Sequence, residues 1–267
     1  MADLSGPNAS PSRPAPPGHE RGRTAAAGGG WGAFLFPSGP RRELVRWIAL
    51  LLMAFDHWAA WTAPGDLWLR LPGRVVYPIF ALFMGASLAR GFPVRRYVRR
   101  LIPFALVAQL GFVVFFWPTY AGRPVLLYWN ILFTLLLGAL AWDALRRRAW
   151  IELGAVFLLA PFVDYGVAGV LAVVLSARLA EAKPGAPPLE RLANGAALFA
   201  VWLALNVQPG RTPAELALTF GAWLTVPLLW LLARLPLGLP RGPWWVPYAY
   251  YPAHFVVLYI LRLALGR

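Results

Sequence analysis

Long apolar runs, broken by short charged or Pro/Gly-rich stretches, set the rhythm of this chain from residue 43 onward. Several runs approach twenty residues, the length a helix needs to cross roughly 30 Å of hydrocarbon. They predict nine helices, over about 43–62, 75–90, 101–117, 126–145, 150–162, 167–180, 192–207, 214–235 and 246–265. Pro64 and Pro72 in the connection APGDLWLRLPGR are expected to hold the first two apart, because proline offers no N–H and clashes with the preceding turn. The fifth run is short for a full crossing and reads as tilted or re-entrant. The fold class is therefore all-α: a polytopic integral membrane helical bundle of about nine transmembrane helices.

Residues 1 to about 40 break the rhythm. They are rich in Pro, Gly, Ala, Ser and Arg, and carry too little apolar surface to offset the entropy of ordering, so a disordered tail is expected ahead of a membrane domain at 41–267. His19 lies in that tail. No apolar stretch with a small-residue cleavage site precedes residue 43, so the first membrane helix is expected to be retained.

Composition agrees with the pattern. Hydrophobic residues make up 59% and charged residues 13%, about half the usual share in soluble domains. Mean hydropathy is +0.57. A net charge of +14 raises nucleic acid as a partner, but the basic residues sit in short loops between apolar runs, where they set orientation instead. With the tail on the cytoplasmic side, inner loops and helix ends carry sixteen Lys and Arg, and outer segments carry six. The bias alternates through every loop, which favours a cytoplasmic N-terminus and treats the fifth run as a real crossing. Cysteine is absent and histidines number three, so thiol chemistry and a zinc cluster are excluded as expectations. No Walker or GxGxxG loop supports nucleotide hydrolysis or Rossmann binding.

The first run, RWIALLLMAFDH, contains the sharpest chemical signal. Asp56 and His57 stand side by side inside it, and apolar residues resume at Trp58. An ionisable residue at bilayer depth costs roughly 2.5–3.5 kcal/mol on insertion scales and usually faces the bundle interior or a water cavity. Helical neighbours point about 100° apart, so the two cannot form a simple dyad, yet both can line one cavity. His57 reads as a general base, with Asp56 or Asp164 orienting it. In VPYAYYPAHFVVLY, Tyr250 and Tyr251 lie four and three residues before His254 and share its face, which makes His254 a second proton-handling candidate. Arg74 opens the second run and reads as either an anion ligand or a snorkelling side chain. Asn130 reads as either a helix cap or a substrate contact. Asp164 and Tyr165 occupy the turn VDYG, with Asp164 expected to partner His57 or Arg74. The basic stretches RRYVRR and RRR read first as positive-inside anchors and second as a landing site for an anionic cofactor. On residues alone, an enzyme, a proton-coupled transporter or permease, and a structural membrane partner all remain open.

Taken together, WIALLLMAFDH, GRVVYPIFALFMG, RRYVRRL, NILFTLLLG, VDYGVAGVL and YAYYPAHFVVLY resemble the TraX family of bacterial membrane proteins, in the same order over about residues 46 to 260. The TraX type is similar to the acyltransferase-3 membrane acyltransferases, whose first helix also bears a functional histidine. The resemblance implies a multi-pass protein of the bacterial inner membrane. It implies acetyl transfer from acetyl-CoA to an amine or hydroxyl, with a conjugative pilin N-terminus or another small acceptor as partner. It points to Asp56, His57, Asp164 and His254 as catalytic, and to Arg74, Asn130, Tyr165 and Tyr251 as binding residues; no metal site is implied. In that reading Arg74 and Asn130 are the expected donors to developing oxyanion charge. The long Pro-rich tail and the Trp-rich approach to the last helix depart from the family core.

Overall fold

The computed structural model describes residues 34–120, 122–182 and 187–265. Among them nine longer helices follow one another, counting a 3-10 turn with the helix it adjoins and leaving the separate turn Val125–Leu127 apart. They are α1 (Gly39–Thr62), α2 (Leu67–Ala89), α3 (Val94–Phe116), α4 (Ile131–Arg147), α5 (Trp150–Phe162), α6 (Gly166–Glu181), α7 (Pro188–Ala204), α8 (Pro213–Arg234) and α9 (Val246–Ala264). A two-stranded hairpin, β1 (Thr119–Tyr120) and β2 (Arg123–Pro124), lies between α3 and α4. The fold is all-helical, and α1, α2, α3 and α8 are long and apolar enough to cross a membrane, with α5 a shorter apolar helix.

Helix α2 is the axis of the bundle. From Val76 to Leu88 all but Phe80 are buried, as expected of a helix apolar on every side. It packs along α6, which also packs on α4 and α7; α3 packs on α4 and α9. The α2–α6 crossing needs Gly85: a Cβ there would lie 2.5 Å from the Ala177 backbone nitrogen. Small residues at such crossings let helix backbones approach closely.

Several expected boundaries move. Pro72 does not end a loop; it sits in a 3-10 turn, Leu71–Val75, through which α2 runs on from Leu67. Proline is tolerated there because the first turn of a helical segment leaves its N–H without an intrahelical acceptor. Helix α3 starts at Val94, so RRYVRR is helical and not a loop; Pro93 supplies the extended residue before it. Helix α4 begins five residues later than expected, with Asn130 as its cap. Helix α1 begins four residues earlier, at Gly39 with Pro40 in its first turn. The tail expected to be disordered falls at 1–33 outside the described residues. Within its last part, Leu35 is only 5% exposed and packs into the core.

Candidate functional site

Asp56 and His57 leave α1 in different directions, and each meets its own partners. Asp56 accepts two hydrogen bonds from Arg70, Nε to Oδ1 at 2.8 Å and Nη2 to Oδ2 at 3.0 Å. Arg74 Nη2 donates to the same Oδ1 at 2.7 Å. Arg74 also donates from Nη1 to Asn206 Oδ1 at 3.0 Å and from Nε to the Arg70 carbonyl at 3.2 Å. This network ties α1 to the 3-10 turn of α2 and to the end of α7. Two glycines make room for it. A Cβ on Gly73 would sit 2.5 Å from Asp56 Cβ, and one on Gly221 would sit 2.7 Å from Arg74 Cγ.

His57 pairs with His254. Their Nδ1 and Nε2 atoms are 2.7 Å apart and the rings are stacked with centroids at 4.9 Å. Phe255 stacks on His57 at 5.0 Å and the edge of Phe116 closes another side at 5.5 Å. His254 is 5% exposed, and its Nδ1 lies 3.3 Å from the Tyr250 carbonyl oxygen. That carbonyl only accepts, so Nδ1 of His254 holds the proton and its Nε2 holds a lone pair. The Nδ1–H of His57 must then be the donor across the 2.7 Å contact. One chain of hydrogen bonds thus fixes both tautomers and leaves Nε2 of His57 as the basic nitrogen.

Neither carboxylate expected to orient His57 does so. Asp56 is held by two arginines. Asp164 accepts from Tyr120 Oη at 3.4 Å and from its own neighbour's N–H, Tyr165, at 3.1 Å. Burial raises the Asp164 carboxyl to about 6, against the pull of Arg74. The VDYG turn is tight: Tyr165 has φ 62° and Gly166 φ 54°, and the Tyr165 ring stacks on Tyr77 at 4.5 Å. A non-glycine residue in this left-handed region is uncommon and marks an over-determined position.

Asn130 is a cap. Its Oδ1 accepts from Leu132 N at 3.0 Å, and its Nδ2 donates to Ala105 O and Gln109 Oε1, each at 2.9 Å. At 0% exposure it has no donor left for a substrate. Arg74 donates one hydrogen bond from each of its three nitrogens to protein acceptors, which fixes its guanidinium in place. Two residues escaped the sequence reading. Arg70 passed for an outer-loop charge, although its spacing of four from Arg74 puts both on one helical face. Gln109, which accepts from the Asn130 N–H at 2.9 Å and donates to Tyr128 O at 2.7 Å, lay unremarked in an apolar run.

A cavity of about 690 Å³ opens at the end of the bundle where α1 and α3 begin. Arg42, Arg46, Arg90, Arg100 and Arg241 line it, with Glu43 as their acidic neighbour; Phe83, Tyr97 and Tyr248 add aromatic walls. Glu43 pairs with Arg46 at 3.0 Å, and Arg42 donates to Ser87 Oγ at 3.1 Å. The lining extends to Leu132 and Tyr251, whose ring lies 5.3 Å from His254. The size falls within the roughly 300–1,000 Å³ of ordinary ligand pockets. Among the described residues no group of three or more His, Cys, Asp or Glu side chains is arranged to hold a metal ion.

The family model described as TraX protein matches residues 41–262. Two proteins, each called Protein TraX, are similar to the chain. One from Escherichia coli is 32% identical over 242 residues, 86% of this chain and 91% of that protein. One from Escherichia coli strain K12 is 31% identical over 234 residues, 84% of this chain and 88% of that protein. No solved structure matches.

Proposed function

The chain belongs to the TraX family, and on that footing we propose that it is an integral membrane acyltransferase that moves acetyl from acetyl-CoA to an acceptor amine or hydroxyl. The acceptor class that the family resemblance implies is a pilin N-terminus in a conjugation system. The protein acts in the bacterial inner membrane, crosses it nine times, and keeps its N-terminus and the arginine-lined cavity on the cytoplasmic side. The excess of Lys and Arg at that end supports the orientation.

One observation carries the reading. The cavity has a basic, aromatic mouth and an apolar far end at Tyr251, beside the His57–His254 pair. Phosphates suit the arginines, which present planar donor forks to anionic oxygens. The pantetheine arm suits the apolar passage, and the thioester would reach the histidines. Nε2 of His57 takes the proton of the acceptor as its nitrogen or oxygen attacks the acetyl carbon. The C–S bond breaks, and the CoA thiolate leaves and takes up a proton. His254 is a positioning residue: it holds the His57 ring and fixes its tautomer, the office a carboxylate fills in hydrolytic triads.

The test is turnover of radiolabelled acetyl-CoA by purified full-length protein, with a synthetic peptide amine as acceptor. His57→Ala should lose about 10²–10⁴-fold in rate, the usual contribution of a general base. His254→Ala should also lose rate, while His254→Gln, whose amide oxygen still accepts from His57, should recover part of it. Turnover undiminished in the double alanine variant would sink the mechanism. No turnover together with proton-driven solute uptake into vesicles would replace it with a transporter.

A further inference from the structure

Two clusters of arginines lie on this chain, and they are in opposite electrostatic situations. In the cluster that ends α4, Arg146 pairs with Glu181, and Arg147 pairs with Asp143 at 2.8 Å and with Glu152. In the cluster that opens α3, none of Arg95, Arg96, Arg99 and Arg100 has an acidic partner among the described residues. Aromatic rings flank them: Arg96 lies over Phe92 at 5.4 Å and Arg100 lies over Trp244 at 4.4 Å, while Glu43, already paired with Arg46, lines the cavity that Arg100 borders. Four like charges in six residues repel one another, and they stand at the positive end of the helix macrodipole, where cations are disfavoured. An arrangement so unfavourable in isolation calls for an anion. The four side chains and Pro93 surround a single concavity of about 420 Å³.

The helix below the cluster identifies the kind of anion. At 100° per residue, positions 95, 99, 102, 106 and 110 stay within a strip on the order of 80° wide. The strip passes from exposed Arg95 and Arg99 to Leu106, 57% exposed, and Leu110, 72% exposed. Ile102 between them is also exposed. A charged head followed by about two turns of open apolar surface matches a molecule with a phosphate at one end and a hydrocarbon chain at the other. A soluble anion has no use for the second half.

We propose that Arg95, Arg96, Arg99 and Arg100 bind the headgroup of an anionic phospholipid whose acyl chain lies along Ile102, Leu106 and Leu110. The site adjoins the cavity proposed for acetyl-CoA: Pro93 and Arg100 border both, whereas Arg95, Arg96 and Arg99 line this concavity alone. Nothing in it depends on catalysis. Bound lipid fixes the start of α3 at the headgroup level and neutralises the cluster.

The experiment uses the full-length protein in detergent, titrated with phosphatidylglycerol, phosphatidylcholine or glycerol 3-phosphate, with adducts read by native mass spectrometry. Phosphatidylglycerol should bind the wild type in preference to phosphatidylcholine. Arg95→Gln should weaken it about fivefold and Arg95→Gln/Arg99→Gln more, since each basic residue near a lipid surface is worth ~1 kcal/mol. Arg95→Lys/Arg99→Lys should stay near wild type, and Arg146→Gln/Arg147→Gln should match it. Unchanged binding in the Gln pair, or an equal loss in the Arg146 and Arg147 variant, would overturn the site. Glycerol 3-phosphate binding as tightly as the lipid would show that the apolar strip contributes nothing, and would overturn the lipid assignment. Should the Gln pair fold poorly, Leu106→Gln/Leu110→Gln tests the same assignment from the hydrocarbon side and should lower lipid binding alone.

Discussion

At the scale of single residues, the centre of the molecule is a division of labour between neighbours. Asp56 is structural: a carboxylate 8% exposed, anchoring two arginines. Asp56→Asn would leave Arg70 and Arg74 partly buried beside a neutral group, and breaking a buried ion pair in this way costs about 3–5 kcal/mol. A large drop in thermal midpoint in detergent, with residual turnover in whatever remains folded, is the expected outcome. Asp164 gives a pH signature. Its folded value, about 6, lies above the ordinary 3.8, so the fold binds its proton more tightly than the unfolded chain does. Its effect on stability is absent below about 4, turns unfavourable as pH rises through 4 to 6, and is fully felt above 6. Thermal melts of Asp164→Asn should therefore lose that downward slope, and a slope of the same size in the variant would assign it elsewhere. The sequence marks Asp56, His57 and His254 because ionisable groups inside apolar runs are costly. It does not mark their partners. The pairing of His57 with His254 joins positions 197 apart, and no local pattern encodes it. Arg70 was hidden for a different reason: Pro72 and Gly73 read as part of a connection between helices, whereas they form a helical turn that continues α2.

At the scale of elements, hydrophobic periodicity finds the helices and misplaces their ends. Proline decides most of the errors. Pro72, Pro93 and Pro40 all occur at or near a helical N-terminus, where a missing N–H has no intrahelical bond to lose. The axial helix α2 explains a feature that hydropathy leaves blank, the glycine at position 85. Gly85→Val would drive a branched side chain into the backbone of α6 at Ala177, where no rotamer relieves the contact. Overpacking in a closed core costs about 1–3 kcal/mol or more. A variant that melts at the wild-type temperature would mean that α2 and α6 are not packed this closely.

At the scale of the whole molecule, the proposed orientation can be read with chemistry the chain itself makes simple. It has no cysteine, so a single introduced thiol reports alone. Ser38→Cys, just ahead of α1, should react with an impermeant maleimide only after the inner face is opened. Asp66→Cys, between α1 and α2, should react in intact cells stripped of their outer membrane. The reverse pattern would invert the topology and place the cavity on the side away from the cytoplasm, against the proposed function.

The histidine contact bridges the first of the nine helices and the ninth. During synthesis α1 enters the bilayer long before α9 exists. For most of its birth the nascent chain holds His57 with no second imidazole to fix its tautomer. Under the proposed mechanism, an orienting imidazole on α9 means that His57 gains its working tautomer only once the last of the described helices has been made and has packed against α1.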